Sequence, residues 1–516
     1  MNLLGSLLNR GIKIRKIIEL DTLSPFELQR KELKKLIRKS RLTSFGFAHS
    51  FSEIFLQFRS SDKEKFYQYY CRRVPVFNYN KIYAEWWHRC KEGESDVTWP
   101  GRVKYFALSS GTSESSSKYI PITKDMVKSN KRASIRQIFS LAKYNLPDEI
   151  FEKGILMLGG STDLKKEKNF YEGDLSGIQA SKIPFWFQMF YKPGRKIAKN
   201  RDWNKKLEEI TLKAKDWDIG FVCGVPAWIQ LLMEKIIDHY QVKTIHDIWP
   251  NLTIFVHGGV SFAPYKKGFE KLLSKPLIYI ETYLASEGFI AMQNQPDSHT
   301  MQLILNNGIF YEFVPFNDEN FDNNGDMVPN PQTLMIHQVE EGKEYALLLS
   351  TNAGTWRYLI GDVIRFTSLN NCELIISGRT KHFLSLVGEH LSVENMNAAI
   401  FATAEELNIS VKEYTVSGIH HKNMFAHSWY IGSDDTVSSE LFRDKLDHHL
   451  QLINDDYKTE RIAALKDVFV KIVPTDAFYS YLKYLGREGG QTKFPRVMKK
   501  NAFDEWEKFI KEKTTL

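Results

Sequence analysis
Cysteine is scarce in this sequence: Cys71, Cys90, Cys223 and Cys372 are the four in 516 residues. No two of them have CxxC spacing, and four in so long a chain make no disulfide framework. They read as reduced, buried thiols of a cytoplasmic protein. Long apolar runs are missing as well. No window approaches the roughly 18 uninterrupted apolar residues of a transmembrane helix, so no stable membrane insertion is expected. The first twenty residues interleave Leu3, Leu4, Leu7, Leu8, Ile14, Ile17 and Ile18 with Arg10, Lys13, Arg15 and Lys16. That is a basic amphipathic helix without the continuous core of a signal peptide, and it reads as a covering helix packed on the main domain. Neither sign of charge dominates: 70 Lys and Arg against 62 Asp and Glu leave a formal +8. So mild an excess suits phosphate-bearing ligands and gives no basis for a nucleic-acid partner. There is no internal repeat and no GxSxG elbow, and His420-His421 and His448-His449 have no companions at zinc spacing.

What is present is a large globular chain. Apolar residues make up 43% and aromatic residues 13%, enough for sizeable cores and aromatic-lined pockets, and the length calls for two or three domains. Ser24-Pro25-Phe26-Glu27 is a helix start with a serine cap and a glutamate placed to close a capping box. Residues 45–98 read as mainly helical and rich in Phe, Tyr and Trp. Strands are expected at 155–158, 219–223, 252–256 and 277–280, alternating with helices at 202–216, 228–240 and 264–274. This is α/β grammar, with ligand loops at the C-terminal ends of the strands. The run Phe185–Tyr191 reads as core. Beyond residue 289 the pattern turns to β, with Asn306-Asn307-Gly308 expected to close a hairpin. Strands near 413–418, 426–431 and 467–473 with a helix at 438–454 follow. The best domain boundary falls at Gly378–Lys381, which gives a large domain over 1–378, β-rich from about 300, and a small α+β domain over 379–516.

The stretch that organises the chain is Tyr105–Ile122. A short apolar strand empties into Ser109-Ser110-Gly111-Thr112-Ser113-Glu114-Ser115-Ser116-Ser117-Lys118. Small residues let backbone N–H groups approach oxyanions, hydroxyls add donors and the lysine adds charge, as a phosphate loop requires. It is not a Walker A loop, because Ser117 stands where that pattern has glycine before the lysine. Three later stretches complete a nucleotide's needs. Tyr283-Leu284-Ala285-Ser286-Glu287-Gly288 offers an aromatic face and a carboxylate. Gly361-Asp362 offers a carboxylate for ribose hydroxyls, and Ser377-Gly378-Arg379 offers a cation.

Taken in order, SSGTSESSSKYIP, YLASEG, GTWRYLIGDVIRF, SGR and GREGGQTKFPR resemble the acyl-acid amido synthetases of the plant auxin-responsive (Gretchen Hagen) family and their bacterial relatives, within the adenylate-forming superfamily. The resemblance runs from Phe45-Gly46-Phe47 to Arg496. It implies a large N-terminal adenylate-forming domain, mixed sheets flanked by helices with a β-rich subdomain, and a small mobile α+β lid. It implies that Ser109, Ser110, Gly111, Thr112 and Ser113 bind ATP phosphates, that Tyr283 lies against adenine with Gly258 and Gly259 beside it, and that Ser286 belongs to the same site. Glu287 would hold Mg²⁺, Asp362 would take the ribose hydroxyls, Arg379 would contact ribose or phosphate, and Lys493 would reach the α-phosphate from the small domain. Val225, Pro226 and Trp228 would line the acyl pocket. Two departures stand out. Ser115 and Glu114 occupy the loop where the family has a second glycine and no added charge, and Leu359-Ile360 replaces an arginine before Gly361-Asp362. The implied reaction is ATP- and Mg²⁺-dependent activation of a carboxylic acid followed by transfer to an amine, an amino acid above all. A thioester-forming coenzyme A ligase and a non-catalytic adenylate-binding homologue share the same nucleotide features.

Overall fold
A computed structural model describes residues 23–109, 118–144, 146–183, 187–259, 262, 265–296, 298–322, 325–380, 384, 391–421, 424–454, 457–458, 461, 465–487, 493–498 and 500–514. Its strands in chain order begin with β1 (Tyr105–Ser109), β2 (Lys118–Ile122), β3 (Gly154–Met157), β4 (Lys165–Lys166), β5 (Tyr171–Gly173) and β6 (Tyr191–Lys192). Next come β7 (Ile219–Gly224), β8 (Ile254–Gly258), β9 (Ile278–Ala285), β10 (Gly288–Met292), β11 (Met301–Leu303) and β12 (Ile309–Pro315). The last are β13 (Glu344–Thr351), β14 (Thr355–Ser368), β15 (Glu373–Arg379), β16 (Glu413–His421), β17 (Met424–Gly432) and β18 (Leu465–Val473).

Eleven of these strands form one sheet in the order β12-β13-β14-β15-β11-β10-β9-β8-β7-β3-β6. From β6 to β9 the pairing is parallel, and from β9 to β12 it is antiparallel. The parallel half is covered by helices Trp203–Lys213 and Pro226–Tyr240, whose Leu207, Ile210, Ile229, Leu232 and Ile236 pack with Leu156, Val222 and Phe255 in one core. The antiparallel half packs Tyr311, Phe313, Leu347, Leu349, Ile364 and Phe366 together. β1, β2, β4 and β5 make a second, four-stranded sheet, and β16–β18 make a third. Against that third sheet lie helices Val393–Glu406 and Ser439–Ile453, with Trp429, Phe442, Leu446 and Leu450 fully buried. Mixed α/β architecture is therefore what the strand and helix spacing required.

The opening helix, Pro25–Ser40, starts as expected: the Ser24 hydroxyl accepts the Glu27 N–H at 3.3 Å and proline stands in the first turn. The capping box is only half made, since the Glu27 carboxylate turns instead to Arg30 and Lys63. Two local expectations fail. Asn306–Gly308 closes no hairpin, because β11 pairs with β10 and β15 while β12 pairs with β13. Gly308 does take the positive φ of 87° that a tight turn needs. The turn is instead held from outside, by the buried Asn307 amide donating to the Ser129 carbonyl at 3.0 Å. In the apolar run before β6, Met189 is 70% exposed although Tyr191 is buried; Phe185 and Trp186 lie outside the described residues.

β9 also runs further than its apolar stretch suggests. It continues through Glu281–Ala285, so Tyr283 is a strand residue and the turn is confined to Ser286-Glu287. The change from parallel to antiparallel pairing happens on this strand, and in open α/β sheets ligands gather at the strand ends beside such switch points.

Candidate active site
Beside β9 opens a cavity of about 1640 Å³. Leu108 and Lys118, at the ends of β1 and β2 that flank the serine-rich loop, line it together with Gly259, Tyr283, Ser286, Glu287, Asp362, Arg379 and Lys493. Ser109 pairs by backbone with Lys118 at its margin. Ser110, Gly111, Thr112 and Ser113 lie outside the described residues, as do Glu114 and Ser115.

The centre of the site is Asp362. β14 and β15 are in register with Asp362 opposite Arg379, and the Arg379 Nε donates to Asp362 Oδ1 at 2.8 Å. The Tyr283 hydroxyl donates to the other oxygen, Oδ2, at 2.6 Å. Asp362 is 6% exposed, and two charge-assisted or short hydrogen bonds fix its carboxylate while its remaining lone pairs stay available to hydroxyl donors. Burial, with the Asp362 charge second, holds the Tyr283 phenol far above its ordinary pKa, so it remains a donor at any working pH.

Glu287 sits at the tip of the β9–β10 turn and is buried. Burial, together with the charge of Asp362, pushes its pKa up to about 7, with Lys118 and Arg379 pulling the other way. Among the described residues no group of three or more His, Cys, Asp or Glu is placed to hold a metal ion. A Mg²⁺ ion at Glu287 would therefore take its other ligands from phosphate oxygens and water, which is the usual manner of Mg²⁺ beside a nucleotide.

Lys493 comes from the far end of the chain and lies directly against Gly259. A methyl group on Gly259 would stand 3.0 Å from Lys493 Cε and 3.1 Å from Nζ, and Gly259 has φ +86°. The positive φ is what requires glycine there. The side chain of Lys493 keeps surface open to the cavity, yet enough protein crowds it, with the Arg379 charge nearby, to bring its pKa down to about 8. Its neighbour three residues on, Arg496, is anchored. Arg496 Nη1 pairs with Glu413 Oε2 at 2.5 Å, Nη2 donates to the Tyr265 hydroxyl at 3.2 Å, and that hydroxyl donates to Glu413 Oε1 at 3.1 Å. The guanidinium also stacks 4.5 Å from the Tyr414 ring centre. Tyr265 belongs to the core of the parallel half, so this triad ties the segment carrying Lys493 to the sheet that carries the site. Ion pairs Lys412–Glu234 and Lys267–Glu405, each 2.9 Å, reinforce the same junction.

The three residues expected to line an acyl pocket behave differently. Val225 caps helix Pro226–Tyr240, and Pro226 stands in its first turn. Trp228 packs edge-on against Trp203 at 5.0 Å and against Tyr479 at 5.7 Å. All three are buried and none lines the cavity, though Val225 Cγ2 would stand 4.0 Å from a methyl group on Gly259. In return the structure adds His257, Glu281, Thr282 and Ile360 to the cavity wall. No site role was expected of them: His257 lies on β8, which ends beside Gly259, Glu281 and Thr282 precede Tyr283 on β9, and Ile360 belongs to the Leu359-Ile360 pair before Gly361-Asp362.

Comparison with known proteins decides the lineage. Sequence models of the GH3 family match in order: the N-terminal domain over residues 14–214, the central domain over 302–376 and the C-terminal domain over 394–502. The chain belongs to the GH3 family. The "Indole-3-acetic acid-amido synthetase GH3.2" of Arabidopsis thaliana is 29% identical over 25% of this chain and 24% of its own length. The human "GH3 domain-containing protein" is 28% identical over 42% of each chain. The "Jasmonoyl--L-amino acid synthetase JAR6" of Nicotiana attenuata is 25% identical over 49% of this chain and 46% of its own. The matched stretches thus span from about a quarter to under half of these relatives. Whole-chain likeness appears in the fold. A solved "GH3.15 acyl acid amido synthetase" superposes with TM-score 0.77 at 15% identity, covering 98% of this chain and 96% of that one. A 2-hydroxyisobutyryl-CoA ligase in its postadenylation state superposes with TM-score 0.57 at 11% identity, covering 94% and 91%. The GH3 chain therefore has an adenylate-forming ligase fold.

Proposed function
We propose that this GH3 chain is an ATP- and Mg²⁺-dependent ligase that activates a carboxylic acid as its acyl-adenylate and transfers the acyl group to an amine, an amino acid being the acceptor. The observation that carries this reading is the convergence of Gly259, Tyr283, Glu287, Asp362, Arg379 and Lys493 on one cavity, with Asp362 already held between Tyr283 and Arg379. The names of the amido synthetases among its relatives supply the acceptor class.

On this reading adenine lies on Tyr283 beside Gly259, and Asp362 takes the ribose hydroxyls. Glu287 holds the Mg²⁺ that screens the phosphates, while the loop from Ser109 to Ser113 with Lys118 receives the β- and γ-phosphates. A carboxylate oxygen attacks the α-phosphorus and pyrophosphate leaves. The amine nitrogen then attacks the acyl carbon, AMP leaves, and the nitrogen loses a proton. Arg379 and Lys493 face the charge that builds on the α-phosphate, so preorganised electrostatics carry the first step. We assign residues 1–378 to the catalytic domain and 379–516 to the lid, and four free cysteines with no disulfide among the described residues fit a cytoplasmic site of action.

Two consequences can be measured. Lys493 must be protonated to act, so kcat/KM for ATP is expected to fall as pH rises through about 8. The arginine of Lys493→Arg stays charged in that range, and the alkaline limb should move up in that variant. The Tyr265–Glu413–Arg496 triad positions Lys493 for the first step only. Tyr265→Phe is accordingly expected to slow pyrophosphate exchange about tenfold, the scale of one charge-assisted hydrogen bond, with aminolysis of a supplied acyl-adenylate unchanged. Equal slowing of both steps would contradict the positioning role.

The reaction itself is tested by incubating the protein with MgATP and a panel of aryl and fatty carboxylates, then offering amino acids or coenzyme A and identifying products by mass spectrometry. Amide plus AMP is expected. Thioester would reassign the acceptor, and no AMP from any acid would remove the catalytic reading.

A further inference from the structure
The formal charge of +8 is not spread evenly along the chain. Residues 1–60 hold twelve Lys and Arg against five Asp and Glu, a net +7. Much of that charge is displayed on helix Pro25–Ser40. Its Gln29, Leu33, Leu36, Ile37 and Ser40 are buried. The Gln29 amide donates to the Leu305 and Ile309 carbonyls at 2.7 and 3.1 Å, which fixes the roll of the helix. Lys31, Lys34, Arg38 and the capping Arg41 follow one another at intervals of three, four and three. They therefore fall on the opposite face as one stripe, about 15 Å long. Lys31, Arg38 and Arg41 are exposed and make no ion pair or side-chain hydrogen bond among the described residues. Lys34 Nζ lies 5.9 Å from the centre of the Phe55 ring. The flanking Lys35 and Lys39, by contrast, are neutralised by Glu32 at 3.2 Å and Asp125 at 2.6 Å. The stripe also borders exposed apolar side chains: Leu42 and Phe47 are each 68% exposed, and Leu56, next to Phe55, is 56% exposed.

Four like charges held in a row repel one another, and a partner of opposite sign relieves them. Residues 1–22 do not bring that sign, since Arg10, Lys13, Arg15 and Lys16 outnumber Glu19 and Asp21. Glu27 on the same helix pairs with Arg30 and Lys63, and Glu53 on helix Phe51–Gln57 pairs with Arg73. A nucleic acid would satisfy the cations but leave Leu42, Phe47 and Leu56 in water. An anionic bilayer satisfies both, because lipid phosphates meet the cations while apolar side chains enter the boundary with the acyl chains. We propose that this face seats the protein on an anionic phospholipid membrane, with Lys31, Lys34, Arg38 and Arg41 on the headgroups and Leu42 and Phe47 dipping below them. No helix among the described residues is long and apolar enough to cross a membrane, so the attachment is peripheral. None of these residues lines the cavity, and the inference is independent of the nucleotide reading.

The test is cosedimentation of the full chain with vesicles of phosphatidylcholine alone and of phosphatidylcholine with a quarter phosphatidylglycerol. Wild type is expected to partition onto the anionic vesicles more strongly by at least about tenfold, and to be released by added salt. Each cation at an anionic surface is worth about fivefold. The quadruple variant Lys31→Gln, Lys34→Gln, Arg38→Gln and Arg41→Gln should therefore lose at least about 10²-fold in partition. Its thermal unfolding midpoint should stay near that of wild type, because glutamine keeps helix propensity and no buried contact is removed. The double variant Leu42→Ser with Phe47→Ser should lose about tenfold from its apolar contribution while keeping the salt dependence. Equal partition onto the two kinds of vesicle, or no partition onto either, overturns the proposal, as does a quadruple variant that still sediments like wild type. Binding to duplex DNA as tight as to anionic vesicles, with the double serine variant unimpaired on both, also overturns it and assigns the stripe to a soluble polyanion.

Discussion

Lys493→Ala is expected to slow acyl-adenylate formation by about 10²–10³-fold while changing ATP affinity by no more than a few fold. The asymmetry follows from where the contacts lie. On the proposed reading adenine and ribose rest on Tyr283, Asp362 and Arg379, and Asp362 already bonds to the other two before any ligand enters. Lys493 makes no ion pair of its own among the described residues and lies against Gly259. An ammonium in that place interacts most with charge that develops as the α-phosphate goes from tetrahedral to five-coordinate, and that gain is absent from the ground state. Burial and Arg379 together bring its pKa down to about 8, so it is poised to gain more than an ordinary lysine from meeting an anion. Pyrophosphate exchange measures the first quantity and titration calorimetry the second. Equal losses in both would show that Lys493 only binds.

The largest stability effect is expected away from the cavity. Arg357→Met should destabilise the protein by roughly 3–5 kcal/mol, the cost of leaving a buried charge without its partner. Glu312 is fully buried, and the Arg357 Nε reaches both its oxygens at 3.0 Å, with Nη2 2.8 Å from Oε1. The same guanidinium donates to the Val74 carbonyl at 2.8 Å and the Thr333 hydroxyl at 3.0 Å. Tyr67 donates to Glu312 at 2.9 Å. This network joins helix Lys65–Arg73 to strands β12 and β14, and without Arg357 it leaves Glu312 with hydroxyl and thiol neighbours only. Arg357 also has φ +39°, a conformation its own bonds must sustain. Chemical denaturation of the wild type, Arg357→Met and the double variant Arg357→Met with Glu312→Leu decides the matter. The double variant should recover much of the loss, because removing both charges leaves no uncompensated one. A single variant within 1 kcal/mol of wild type, on the order of a surface pair, would refute the account.

How much of this was legible beforehand depends on the range of the interaction. The helix at Ser24–Pro25 and the strands β7, β8 and β16 announce themselves through caps, alternation and turn residues that act within a few positions. Tyr283, Glu287, Asp362, Arg379 and Lys493 were visible because each sits in a short distinctive motif, and the fold brings these five to one cavity. The failures are long-range. Asn306-Asn307-Gly308 has hairpin chemistry, but its flanking strands find partners elsewhere and the turn is held by Ser129. Trp228 resembles a pocket residue by position, yet Trp203 and Tyr479, 25 residues before it and 251 after it by sequence number, enclose it. Glu281 carries no signal at all beyond its spacing of two from Tyr283, and the Tyr265–Glu413–Arg496 triad joins three segments that nothing local relates.

The most direct measurement is a crystal structure of the protein with Mg²⁺ and a non-hydrolysable ATP analogue bearing a methylene bridge between the α- and β-phosphorus. The account predicts adenine on Tyr283, ribose hydroxyls on Asp362, Mg²⁺ on Glu287 and the α-phosphate within reach of Lys493. Nucleotide bound anywhere else, or bound in this cavity with its triphosphate turned away from Lys493 and Glu287, would contradict it.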